Sequence, residues 1–368
     1  MRATVDTSAQ AMTQRLHKVC LWVCAFVCAL GPAFAAERAG AQPIPVAMPA
    51  ALADLQLNLA AISLHEPGRV GIAIEDLATG MTSGVNAGAS LPAASTIKIP
   101  VMVEVFKEME RGGLDLNSIV HLEARDRDWG WGDMASARIG TPRTVKQLLW
   151  LMITQSDNTA ANMLIRRVGR AKINATMIGL GLHSTYLGDY IRSETEAIRY
   201  GLRTSPHDMV ALLDRIARDT LVDPWSSREM LAILAGQKYN TLLPAPLPED
   251  VKIAHKTGSL HDTLNDVGIV YRDREPYVIA VMTTQLPDLD VGRAFIRKVS
   301  RMTYEGLGRV ALWREDAGIA AFSSDSSPVV PNPVVAPALP SDAQMWNATQ
   351  YPPAPEPTDV PEPAPSDE

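Results

Sequence analysis

The chain has 368 residues, 46% of them hydrophobic, with 34 Lys and Arg against 41 Asp and Glu for a formal charge of −7. This suits one large domain or two interleaved ones, and gives no basic surface for nucleic acid or an anionic membrane. Its three cysteines, Cys20, Cys24 and Cys28, lie in one apolar run near the N-terminus, so a chain cleaved after that run has no thiol, disulfide or cysteine metal site.

That run, residues 19–30, follows Arg15 and Lys18 and precedes Gly31-Pro32 and Ala33-Phe34-Ala35. Residues 1–35 therefore read as a secretory signal peptide with Met12 as an alternative start, and the protein as periplasmic or secreted. The run is too short to span a membrane, so no stable span is expected after cleavage. Residues 36–48 form a linker. Leu52, Leu55, Leu59 and Ile62 then recur at helical spacing and predict an amphipathic helix. Residues 69–76 are rich in β-branched side chains and pair with 81–85 through a turn at 78–80. A buried helix follows Ser95-Thr96-Ile97-Lys98, with Ser95 at its N-terminus, and stops at Arg111-Gly112-Gly113.

Helical and loop segments continue to about residue 234. Thr144-Val145-Lys146-Gln147 has the form of a capping box ahead of an almost wholly apolar helix, and Ser156-Asp157-Asn158 connects that helix to the next. Strands return at 251–256, 266–271 and 277–284, with residues 272–276 as a hairpin turn, and a helix over 291–305 closes the domain. Two strands, a helical block and three more strands imply an α/β (α+β) fold, with a five-stranded antiparallel sheet flanked by helices and an inserted all-helical subdomain. We place the catalytic domain at residues 49–310. Residues 311–368 form an acidic, proline-rich tail without a partner implied; 12 of the 27 prolines lie beyond 327. The signal carries +2 and residues 328–368 carry −6, which leaves −3 for residues 36–327.

A serine hydroxyl becomes a useful nucleophile when a base takes its proton, and a lysine three residues further on a helix lies on the same face. Ser95 and Lys98 have that spacing. One S-x-x-K is expected by chance in a chain this long, but Ser156-Asp157-Asn158 and Lys256-Thr257-Gly258-Ser259 follow in order, and coincidence does not supply all three. The set resembles the active site of the penicillin-recognising serine enzymes, and the sequence from about Leu52 to Leu307 is most similar to class A β-lactamases.

The resemblance implies a β-lactamase/transpeptidase-like fold and a role for each motif residue. Ser95 attacks the carbonyl, with the backbone amides of Ser95 and Ser259 as oxyanion hole. Lys98 is the base or an electrostatic guide. Ser156 relays a proton to the leaving nitrogen, Asn158 binds the substrate's side-chain amide, and Lys256 with Thr257 holds its carboxylate. Gly258 lets the substrate lie close to the strand. Asp157 reads as a structural residue of its loop.

Deacylation needs a further base. The family places that base in an R-x-E-x-x-L-N pattern, and Arg192-Ser193-Glu194-Thr195-Glu196-Ala197-Ile198 keeps its R-x-E but has Ala197 and Ile198 in place of the leucine and asparagine, so Glu194 is the choice, with Glu196 as the alternative and a pair of solvated loop charges as the plain reading. The arginine that many relatives carry on the strand after the third motif is absent from residues 264–268. Trp131, in Trp129-Gly130-Trp131-Gly132, falls where the family has an aromatic wall; a core tryptophan is the other reading.

The histidines show no H-x-H or H-E-x-x-H spacing and no G-x-S-x-G occurs, which argues against a zinc enzyme and an α/β-hydrolase. No cofactor or metal is implied, and a monomer suffices. The expected function is β-lactam opening through a Ser95 acyl-enzyme. The alternatives are a D-alanyl-D-alanine peptidase or esterase acting on cell-wall peptides, and a penicillin-binding module that acylates without turnover.

Overall fold

A computed structural model describes residues 49–193, 201–272 and 275–316, side chains at 315 and 316 excepted. The expected signal peptide, the linker, Glu194, Glu196, the tip of the hairpin at 273–274 and the tail from 317 lie outside the described residues.

The sheet is built from β1 (Arg69–Asp76), β2 (Thr82–Val85), β8 (Lys252–Leu260), β9 (Thr263–Tyr271) and β10 (Tyr277–Thr284). Its order is β2-β1-β10-β9-β8 and every pair is antiparallel. Strands from both ends of the sequence thus meet in one sheet, as the pattern predicts. Side chains alternate between the two faces of a strand. On β1, Val70, Ile72 and Ile74 join Ile279 and Val281 of β10 on one side, where α1 (Ala50–Leu64) contributes Leu52, Leu55 and Leu59 and α8 (Leu289–Asp316) contributes Phe295, Ile296 and Val299. Ala73, Val278, Ala280, Val267 and Ile269 face the opposite core, shared with the helical region. Covered on both faces, β9 and β10 are buried almost throughout, which explains the continuous apolar runs at 267–271 of β9 and 277–282 of β10.

The helical region holds α2 (Lys98–Glu110), α3 (Val145–Thr154), α4 (Asn158–Val168), α5 (Arg170–Gly179), α6 (Pro206–Ala217) and α7 (Pro224–Ala235). Ten of the 13 residues of α2 are buried, so it is the central helix, and Pro100 sits in its first turn, where no amide partner is lost. Thr144 and Gln147 form the predicted capping box of α3, with Gln147 N to Thr144 Oγ1 at 3.1 Å and Thr144 N to Gln147 Oε1 at 3.0 Å.

Four expectations are corrected. Ser95 is not at the N-terminus of α2 but inside a 3₁₀ turn, Ala94–Ile97, with Lys98 as the first residue of the α-helix. β8 and β9 run longer than predicted because their polar halves, which lack strand-like composition, complete the ladder at the site. α8 runs from Leu289 to Asp316, longer at both ends than the predicted 291–305. Finally, two small sheets, β3 (Leu91–Pro92), β7 (Leu202–Thr204) and β6 (Tyr186–Leu187), and β4 (Ile119–His121) with β5 (Pro142–Thr144), were not predicted. Strands of two or three residues are too short to show alternation. No helix among the described residues is long and apolar enough to cross a membrane.

Candidate active site

The sheet's β8 edge, the 3₁₀ turn and the α3–α4 connection enclose a cleft of about 490 Å³, lined by Ser95, Ser156, Asn158, Thr257, Gly258 and Ser259 among others. The serine turn is forced into place. Ala94 has φ of +47°, a strained value for a residue with a side chain, and residues i and i+3 of a 3₁₀ turn eclipse one another. Ser95 Oγ thereby lies 3.0 Å from Lys98 Nζ. Gly258 is extended, and a Cβ there would meet Ser95 N at 3.0 Å and Ala93 O at 3.1 Å. The space beside this glycine on its Cβ side is filled by the serine turn, while its backbone lines the cleft.

Lys98 is fully buried. Besides Ser95, its amine donates to Ser156 O at 2.6 Å, Ser156 Oγ at 3.0 Å and Asn158 Oδ1 at 2.6 Å. Burial and the neighbouring Lys256 ammonium push its pKa well below the ordinary lysine value, against the opposing pull of Asp157 and Asp128. Lys256, equally buried, donates to Ser156 Oγ at 3.0 Å and to Thr257 O at 2.9 Å. Its pKa falls to about 7 through burial, with Asp266 acting the other way. Ser156 thus bridges two amines through one hydroxyl, and its φ of +59° aims that hydroxyl between them. Asp157 is structural, as read: it accepts from Ala160 N as N-cap of α4 and from Met134 N, each at 2.8 Å. Gly132, at φ of +106°, must be glycine because a Cβ would overlap Asp157.

Trp131 is a cleft residue rather than a core one. It is 52% exposed, stands edge-on to Tyr239 at 6.1 Å, and donates from Nε1 to Tyr239 Oη at 3.1 Å. His255 belongs to the core, pairing with Asp266 at 2.9 Å. Three participants escaped the sequence reading: Asp128, Ser193 and Arg293. Asp128 lies in Arg125-Asp126-Arg127-Asp128, which reads as a solvated charge run, although the adjacent glycine-tryptophan repeat marks a tight turn beside it. Arg293, in the first turn of α8, lines the same cleft as Thr257 and Ser259. Among the described residues no group of His, Cys, Asp or Glu could hold a metal ion.

A cleft serine held against a buried, neutralisable lysine, with a second hydroxyl joining that lysine to another, defines a serine acyl-transfer enzyme. Residues 54–307 match the β-lactamase enzyme family. A β-lactamase of Streptomyces fradiae is 29% identical over 292 residues, 76% of this chain and 94% of that protein. Among solved structures, PBP-A superimposes with a TM-score of 0.66 at 30% identity, covering 70% of this chain and 97% of PBP-A. An ancestral class A β-lactamase gives 0.63 at 28%, covering 68% and 99%. The chain belongs to the β-lactamase enzyme family and is a serine hydrolase of class A type with the β-lactamase/transpeptidase-like fold.

Proposed function

We propose that this protein opens β-lactam rings through an acyl-enzyme on Ser95. The observation that carries the proposal is the 3.0 Å contact between Ser95 Oγ and the amine of Lys98, which burial and Lys256 keep poised to lose its proton. Neutral Lys98 takes the Ser95 proton as Oγ bonds to the lactam carbonyl carbon. The oxyanion is held by the Ser95 and Ser259 amides. When the C–N bond breaks, Ser156 gives its proton to the nitrogen and is reprotonated by Lys98 over the 3.0 Å bond they share. Asn158 takes the substrate's side-chain amide. Glu194, with Glu196 as the alternative, then removes a proton from the water that attacks the ester carbonyl, and that proton passes to Ser95 Oγ as the ester C–O bond breaks. The chain acts as a monomer after export to the periplasm or medium behind a cleaved signal, without cofactor.

Lys256, Thr257 and Ser259 bind the substrate carboxylate, and Arg293 replaces the arginine missing from β9. Its guanidinium is held by Asp290 Oδ1 at 3.1 Å and lines the cleft beside Thr257. Arg293→Ala is expected to raise KM for benzylpenicillin by about tenfold, the worth of one hydrogen bond to a charged group, with kcat little changed. Unchanged KM in steady-state assays would remove Arg293 from the carboxylate site.

The deciding experiment is turnover of nitrocefin and benzylpenicillin, with intact mass, for the wild type and Glu194→Ala. Rapid turnover by the wild type, and a Ser95 adduct that accumulates as deacylation slows by at least about 100-fold in the variant, is the expected result. Persistent acylation of the wild type would make the chain a penicillin-binding protein instead.

A further inference from the structure

Asp128 is 5% exposed and accepts four hydrogen bonds from three separate parts of the chain. Its Oδ1 takes the Gly130 amide at 3.1 Å, Asn158 Nδ2 at 2.9 Å and the Ser193 hydroxyl. Its Oδ2 takes the Ser193 amide at 2.8 Å. Burial alone would raise its pKa, but the bonds from Ser193, Asn158 and Gly130 outweigh burial and hold it below the ordinary aspartate value, so it stays an anion.

The consequence lies in the Asn158 side chain, which has donors on one arm and an acceptor on the other. A carboxylate that takes Nδ2 obliges Oδ1 to face the other way, and there Lys98 Nζ donates to it at 2.6 Å. The reversed amide would set its oxygen against the Asp128 carboxylate and its N–H groups against the Lys98 amine, two repulsive contacts in a buried place. The same carboxylate grips Ser193 by both hydroxyl and backbone, and the next residue in the chain is Glu194. Arg192 adds to the attachment, donating to Arg127 O at 2.8 Å and Arg125 O at 2.9 Å.

We propose that Asp128 is a positioning residue of the acyl-transfer reaction: it sets the Asn158 amide so that its oxygen receives Lys98, and it ties Ser193 to the cleft floor. This rests on the roles of Ser95, Lys98 and Glu194 given above. Asp128 acts on acylation through Asn158 and on deacylation through Ser193; because Asn158 Nδ2 also donates to Ser193 Oγ at 3.0 Å, the Asn158→Ala background is what tells the two apart.

The test uses the full chain as wild type, Asp128→Asn, Asn158→Ala and the double variant, each mixed with benzylpenicillin while intact mass follows formation and loss of the Ser95 adduct. Asp128→Asn is expected to slow acylation by about tenfold or more, since Asn158 loses its hydrogen bond to a charged carboxylate and with it the orientation that presents Oδ1 to Lys98. With Asn158 already alanine, the same substitution should cost acylation far less, because the amide that transmits the orienting effect is gone and what remains is the direct pull of the Asp128 charge on Lys98, whose loss favours the neutral amine. Deacylation should slow in both backgrounds. Equal losses of acylation in the two backgrounds, the mark of general damage to packing, would overturn the proposal, as would acylation untouched by Asp128→Asn alone. A wild type that neither turns over benzylpenicillin nor forms an adduct would remove the Ser95 reading itself, and the proposal with it.

Discussion

Ser95→Ala is expected to lower kcat for nitrocefin by on the order of 10⁵-fold, in line with removal of a nucleophile from an acyl-transfer site. The variant should fold and bind normally. Ser95 lies at the surface of the cleft, its turn is held by backbone contacts such as Thr96 N to Ala93 O at 3.2 Å, and the one side-chain bond lost is that from Lys98, which keeps three further acceptors. Residual activity reflects the oxyanion amides and binding groups that remain. Intact mass must show no penicillin adduct. An adduct of undiminished yield would move the nucleophile elsewhere, with Ser156 and Ser259 the hydroxyls to examine next.

Lys98→Met should slow acylation by on the order of 10³- to 10⁴-fold, the upper range for a general base that also aligns the nucleophile. The same variant has a second signature in stability. Burial and Lys256 lower the folded-state pKa of Lys98 below the 10.5 of an unhindered lysine, so the unfolded chain binds its proton more readily than the folded one. Between the folded and unfolded pKa values the wild type therefore gains stability as pH rises and loses it as pH falls. The slope from this group is about 1.4 kcal/mol per pH unit inside that window. Methionine has no proton to bind. Removing the amine also strands Ser156 O and Asn158 Oδ1, a cost that does not vary with pH. The difference in Tm between variant and wild type should consequently shift in favour of the variant as the solution is made more acidic. Melting curves that stay parallel across pH would mean that Lys98 is charged in the folded protein, which would leave it an electrostatic guide rather than the base.

Much of this site is carried by local sequence because its chemistry depends on short spacings. Ser95 and Lys98 are three residues apart, and any turn with near-helical geometry brings them together, whether α-helical as expected or 3₁₀ as found. The capping box at Thr144 and the N-cap at Asp157 are equally local, as are the alternating and continuous apolar runs that make β1 and β10. A three-residue helical spacing or a period-two strand needs no knowledge of distant partners. These features make the sheet, the helical insertion and the three motifs legible in the order of residues alone.

What the tertiary structure decided is everything that depends on which distant groups share a buried volume. The Lys98 pKa is lowered first by burial and then by Lys256, far along the chain, and no spacing encodes either. Asp128 looks like one member of an exposed charge run until the fold presses it against Asn158 and Ser193. Gly258 has an ordinary strand conformation, and only the serine turn packed on it shows why a side chain is excluded. Arg293 reaches the cleft because α8 begins beside β8's polar end, a consequence of sheet order rather than of any motif. Sequence by itself determined the local geometry of the nucleophile and the family of the fold; the electrostatics that activate the nucleophile, being sums over buried neighbours, were set only when the chain folded.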